Sequence, residues 1–180
     1  VTEPTTPPTH DPPERAEAEQ VAEAATAFER AERPLLLVGG GVIAGEATAE
    51  LSAFATDHGV PVVTTMPGIG AFPEDHDLCL SWAGMHGTGY ANAAINNCDL
   101  LFAVGTRLDD RLTGDVSTFA PEAEVVHADI DPAEISKNVH ADYPLVGDAA
   151  RVLEQVDDAV EHSPDAGAWR EQCADWQREY

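Results

Sequence analysis

One arrangement recurs along this chain and limits what it can fold into. A short run of branched aliphatic residues, as in "PLLLVGGG", "VPVVTT", "DLLFAVGT", "AEVVHADI" and "YPLVGD", ends in glycine, threonine or a charged residue, and helix-like segments separate these runs. Runs of this length read as strands buried on both faces, and strands alternating with helices build a parallel sheet covered on both sides. The expected fold class is α/β: a doubly wound, Rossmann-like parallel sheet of about six strands with helices on both faces. In such a sheet ligands sit beyond the carboxyl ends of the strands.

The elements follow in order. Residues 1–14, rich in Thr and Pro, read as a linker, and "ERAEAEQVAEAATAFERAERP" as an amphipathic helix closed at Arg33 and Pro34. The strand "LLLVGG" leads into "GEATAELSAFATDHG", a helix opened by Gly45 and ended by Gly59. "LCLSW" is a candidate short strand, and "GTGYANAAINNCD" a helix capped by Thr88. Asp131, Pro132 and Glu134 form a capping box that starts a helix over "DPAEISKNV". "DAARVLEQVDDAVEH" is the last core helix, which closes a cofactor-binding domain over residues 15–162. Residues 163–180 read as a further helix or a linker to another domain.

Composition excludes several functions. The chain carries 33 acidic and nine basic residues, a formal net charge of −24, so binding to nucleic acid, which draws on clustered cations, is not expected. Acidity spread along the whole length suits a solvated, self-repelling surface and resembles that of cytoplasmic proteins from salt-loving microbes. No apolar run approaches the ~18 residues of a membrane span, and the first residues lack the pattern of a signal peptide. Three widely spaced cysteines without a CxxC pair fit a reducing compartment, so a cytoplasmic location is expected. Histidines and cysteines show no zinc spacing, and neither GxSxG nor GxxxxGK[ST] occurs.

The ends of the apolar runs carry the chemistry. Gly39, Gly40 and Gly41 follow the first strand, where backbone amides could approach a pyrophosphate. Their spacing, GxGxxxG, is not the GxGxxG of an NAD site, and the second strand ends in Thr64 and Thr65 rather than an acidic residue. In "GTRLDDRLTG", Arg107 and Arg111 are the only two cations between Arg33 and Lys137. They could neutralise a diphosphate or stack on a flat ring, or each could pair with Asp109 or Asp110. Asp129 could accept from ribose hydroxyls or hold its own loop, and His86 could contact a ligand or serve the loop that contains it.

"RPLLLVGGGV", "PVVTTMPGIGAFPEDH", "GMHGTGYAN", "DLLFAVGTRLDDRLTG" and "VVHADIDPAEISKN", followed by Gly147 and Asp148, resemble the central domain of the acetolactate synthase catalytic subunit from about Arg33 to Val156. The pairing of "GMHGT" with "RxDDRxTG" is the most specific part of the likeness. The resemblance implies a middle domain that binds FAD, with thiamine diphosphate and magnesium held by flanking domains that this chain does not contain. It implies an enzyme that joins pyruvate to a second pyruvate or to 2-oxobutyrate, on the route to branched-chain amino acids, with the flavin in no net redox role. It further implies a homodimer or homotetramer, a regulatory small subunit in some cases, and no activity from this domain alone.

Carried over by position, the flavin contacts are Gly39, Gly40, Gly41, Thr65, Met66, Gly84, Met85 and His86, then Gly105, Arg107, Asp109 and Arg111, with Asp129, Ile130, Gly147 and Asp148 toward the adenosine end. Met66 and Pro67 replace the more familiar Leu and Met, and Gly89 replaces a bulkier residue. The GDG segment that holds magnesium in the family is absent, since neither Gly114-Asp115 nor Gly147-Asp148 is followed by glycine. The alternative implied is an ADP-binding or ligand-free central domain of a related thiamine diphosphate carboligase or decarboxylase.

Overall fold

The computed structural model describes residues 13–179, so the linker expected over residues 1–14 lies almost wholly outside the described residues. Helix α1 (Ala18–Arg30) leads into strand β1 (Pro34–Val38), a short helix α2 (Gly40–Ala44) and helix α3 (Thr48–His58). There follow β2 (Val62–Thr64), β3 (Cys79–Trp82), α4 (Gly89–Asn97), β4 (Leu100–Val104) and the single turn α5 (Asp110–Thr113). The chain continues through β5 (Glu124–Asp129), β6 (Tyr143–Val146), α6 (Ala149–Ala159) and α7 (Gly167–Glu179). The six strands form one sheet in the order β3-β2-β1-β4-β5-β6, and every pairing is parallel.

Alternation along the strands divides the core. Leu36, Val38, Phe102, Val104 and Val126 face a layer that includes α1, α3 and α6, where Phe28, Phe54 and Leu153 are buried. Leu35, Leu37, Val63, Leu101 and Ala103 face the other layer, which holds α4 and α7. β1 and β4, buried at every position, lie at the centre, as continuous apolar runs require. Helix α7 belongs to this second layer: Trp169 is 4% exposed and donates from Nε1 to the Pro34 carbonyl at 3.0 Å, and Gln177 Nε2 donates to the Cys79 carbonyl at 2.8 Å.

Two helix expectations are corrected. Gly45 does not open a helix; it closes α2, and α3 starts separately at Thr48. No helix forms over "DPAEISKNV", where the chain makes turns instead. The capping box does not close, because the Asp131 amide donates to Asp129 Oδ1 at 2.9 Å and Glu134 Oε1 accepts from Lys137 Nζ at 2.9 Å. Asp131 Oδ1 accepts from the Ala133 amide, which makes an Asx turn, and Ser136 sits at φ 56°, a left-handed conformation that stops helical propagation. The N-termini of α4 and α6 are capped by side chains: Thr88 Oγ1, as expected, accepts from the Ala91 amide, and Asp148 Oδ1 accepts from the Ala150 and Arg151 amides.

Candidate functional site

The strand order reverses between β1 and β4, and a crevice opens where the loops after them part. At that point the two loops touch. A Cβ on Gly39 would collide with the Gly105 carbonyl, and one on Gly105, at φ 60°, would collide with Gly41, so these glycines permit backbone to lie on backbone. The Gly39 and Gly41 amides donate to the carbonyls of Val104 and Gly105 at 2.9 and 3.0 Å. Those two amides are therefore engaged by the β4 segment rather than aimed at a ligand, which revises the reason for glycine at both positions.

A cleft of about 690 Å3 runs over the carboxyl ends of β1 to β5. Gly40 and Gly41 form its floor, Thr65, Met66 and Pro67 its wall after β2, and Trp82, Met85 and His86 its wall after β3. Gly105, Arg107, Asp109 and Arg111 enter from the loop after β4, and Asp129 from the end of β5. Loops distant in sequence are stitched together here: the Met85 amide donates to the Arg111 carbonyl at 3.0 Å, and Arg111 Nη1 lies 4.0 Å from Met85 Sδ.

Five of the expected residues do not line the cleft. Gly39 lies beneath it, in contact with Gly105. Gly84, at φ 107°, has room for no side chain against the Arg111 carbonyl, and both its amide and its carbonyl are bonded to the Asn92 side chain at 2.9 and 3.1 Å. Ile130 is exposed beyond Asp129. Gly147 packs against Ala16, and Asp148 caps α6, so both serve the fold at the β6 end. The cleft also contains Pro67, noted in the sequence only as a departure from the family pattern, and Trp82, Ala83, Gly87, Thr106 and Leu112, which sequence reasoning did not single out. Trp82 had a signal, since an aromatic residue at the carboxyl end of a strand and next to a Gly-rich loop is placed for ring stacking.

The two arginines differ in partner. Arg107 Nη2 lies 3.1 Å from Asp109 Oδ2, with the arginine side chain 68% exposed, so this pair is worth little by itself and its guanidinium is free to reorient. Arg111 is paired with no carboxylate among the described residues and faces the cleft beside Met85 and Leu112. Asp129 holds its own loop through Oδ1, which accepts from the Asp131 amide. Just below the cleft floor His127 is buried, and its Nε2 lies 2.8 Å from the Thr106 carbonyl. Burial pushes its pKa below the ordinary histidine value, against smaller opposing effects of the Thr106 carbonyl, Asp129 and Glu134.

Residues 21–156 match the family described as thiamine pyrophosphate enzyme, central domain. The chain belongs to that family. The match runs from α1 to α6 and so contains the whole cleft. Over 169 residues, 94% of this chain, it is 50% identical to the acetolactate synthase of Mycobacterium bovis. It is 46% identical over 169 residues to the acetolactate synthase large subunit of Corynebacterium glutamicum, again 94% of this chain. To a probable acetolactate synthase large subunit of Methanocaldococcus jannaschii it is 54% identical over 134 residues, 74% of this chain. The chain spans about a quarter of the length of these relatives, 27%, 26% and 23% respectively.

Proposed function

We propose that this chain is the cofactor-binding central domain of an acetolactate synthase large subunit and that FAD is the cofactor it takes. The observation that carries this reading is the placement of Arg107 and Arg111, the only cations between Arg33 and Lys137, in a single cleft with Trp82, Met85 and Leu112. A chain of net charge −24 repels anions generally, so an anionic ligand needs local cations, and a ring-bearing one needs apolar walls. The donor set fits FAD: guanidinium for the diphosphate, apolar surface for the ring system, and the Asp129 carboxylate for ribose hydroxyls. When bound, the flavin would supply a flat ring system with no net redox role in the overall condensation.

The chain's own contribution is to bind and orient. Arg107 would exchange its exposed partner Asp109 for the diphosphate, and Arg111, which pairs with no carboxylate among the described residues, would meet the ligand beside Met85. A Cβ on Gly40 would press on Pro67 at 3.1 Å, so glycine there lets the floor of the cleft pack against the wall after β2. Met66 and His86 complete the mouth of the cleft. The condensation of two pyruvates, or of pyruvate with 2-oxobutyrate, toward branched-chain amino acids belongs in this reading to the larger enzyme. Thiamine diphosphate and magnesium would bind its flanking domains, the assembly would be a homodimer or homotetramer in the cytoplasm with or without a regulatory small subunit, and this chain alone would be inactive. No helix among the described residues is long and apolar enough to cross a membrane.

The test is a titration of the 180-residue chain with FAD in concentrated potassium chloride, read by quenching of flavin fluorescence, with ADP as competitor. Saturable quenching that ADP reverses only weakly is expected. Binding of ADP alone would place the chain with the related ADP-binding carboligases, and a folded chain that binds neither would overturn the reading for this domain by itself.

A further inference from the structure

The loop that carries Arg107 is shaped from beneath. Thr106 is 6% exposed and Leu108 1% exposed, while the Arg107 side chain between them is 68% exposed, so the chain alternates in, out and in across these three residues. Leu108 then takes φ 48°, a left-handed conformation costly for a branched side chain, with its own side chain in the second core layer. Such a backbone persists only where its surroundings fix it. Two side chains of the segment "VVHADIDPAEISKN" do so. His127 Nε2 donates to the Thr106 carbonyl at 2.8 Å, and Asn138 Nδ2 donates to the Arg107 carbonyl at 3.4 Å.

His127 has features that a space-filling core residue would not need. It is 1% exposed at an inward position of β5, where an aliphatic residue would satisfy packing. Because a carbonyl can only accept, Nε2 carries the proton, and Nδ1 is left buried with no hydrogen-bond partner among the described residues. A buried unpaired nitrogen is a cost that packing does not explain. The return is the fixed carbonyl of the residue before Arg107.

We propose that His127 is a positioning residue for the cleft: through the Thr106 carbonyl, and with Leu108 anchored in the core, it holds the strained arch that presents Arg107 to the diphosphate of the ligand. This rests on the assignment of FAD to the cleft only for the identity of the ligand; the arch itself can be tested without one. Glutamine at 127 can reach the same carbonyl with its amide donor, whereas leucine fills the space and cannot donate.

The experiment compares the 180-residue chain with His127→Gln, His127→Leu and Asn138→Ala. In the ligand-free proteins, hydrogen exchange over residues 105–114 should rise in His127→Leu and stay near the parent rate in His127→Gln. Asn138 is exposed, so Asn138→Ala tests the second tie without disturbing the core, and a smaller rise over the same residues is expected. For FAD, His127→Leu should weaken binding about tenfold, the usual scale for one lost hydrogen bond, and His127→Gln should restore it. In an Arg107→Ala background, His127→Leu should cost nothing further, since it acts through Arg107.

Unchanged exchange over residues 105–114 in both His127→Leu and Asn138→Ala would overturn the proposal, as would a full tenfold loss in the Arg107→Ala background. If the parent chain takes no FAD, the assignment of the ligand fails while the exchange rates still decide whether His127 and Asn138 hold the arch. If His127→Leu does not fold, the comparison of His127→Gln with Asn138→Ala decides it on the same segment.

Discussion

Arg107 and Arg111 were legible in the sequence as the two cations stranded in an acidic chain, but their different situations were not. Arg107 has Asp109 as a partner, whereas Arg111 lies against Met85. Arg107→Ala should weaken FAD binding about 30-fold, equivalent to ~2 kcal/mol for a charge-assisted hydrogen bond, as isothermal calorimetry would show. Unaltered affinity would remove Arg107 from the site. His127 escaped sequence reasoning because a histidine within "VVHADI" reads as one more strand residue; only the fold brings it under Thr106. Its folded pKa lies below the ordinary value of 6.5, so the unfolded chain binds more protons between the two values and stability rises with pH there. The stability held by neutral His127 is therefore complete above pH 6.5 and lost as pH falls through the lower folded value. His127→Gln should flatten the stability profile below pH 6.5 relative to the parent in urea titrations, and identical slopes would contradict the buried neutral imidazole.

Among the elements, the inner strands β1, β2, β4 and β5 were marked by short apolar runs with polar ends, because a strand buried on both faces admits little else, whereas the edge strands β3 and β6 are only half-buried. Helices were marked less surely. The capping-box pattern at Asp131 and Glu134 failed because three local acceptors, Asp129, Asp131 and Glu134, took donors from nearby amides and from Lys137 in a turn. Local side-chain bonding competes with helix initiation, and no periodic apolar stretch followed to tip the balance. Gly45 misled because α2 is only five residues long: the Gly45 amide donates back to the Gly41 carbonyl at 2.8 Å and ends that short helix before α3 begins. Asp148 does cap α6, and Asp148→Ala should destabilise the chain by ~1 kcal/mol in chemical denaturation while leaving FAD affinity unchanged. Trp169→Ala in α7 should cost ~3–5 kcal/mol, because it empties a buried site and orphans the Pro34 carbonyl; a loss under ~1 kcal/mol would mean that α7 is not part of the core.

At the scale of the whole molecule, net charge and site pull in opposite directions. Acidic residues face solvent around a cleft that carries two arginines, so self-repulsion opposes both folding and the approach of an anionic ligand. Screening relieves the first: the Debye length falls from ~10 Å at 0.1 M salt to ~3 Å at 1 M. The melting temperature should rise by several degrees between ~0.1 and ~1 M potassium chloride if self-repulsion opposes folding, and a flat or falling melting temperature would contradict that role of the net charge. The most direct test of the flavin assignment is hydrogen exchange of the 180-residue chain with and without saturating FAD in that salt. Protection should appear together in residues 39–42, 65–67, 82–87 and 105–112, which the sheet brings to one edge. Protection confined to residues outside the cleft, which also includes Asp129, or FAD binding that leaves those four segments unchanged, would contradict the assignment.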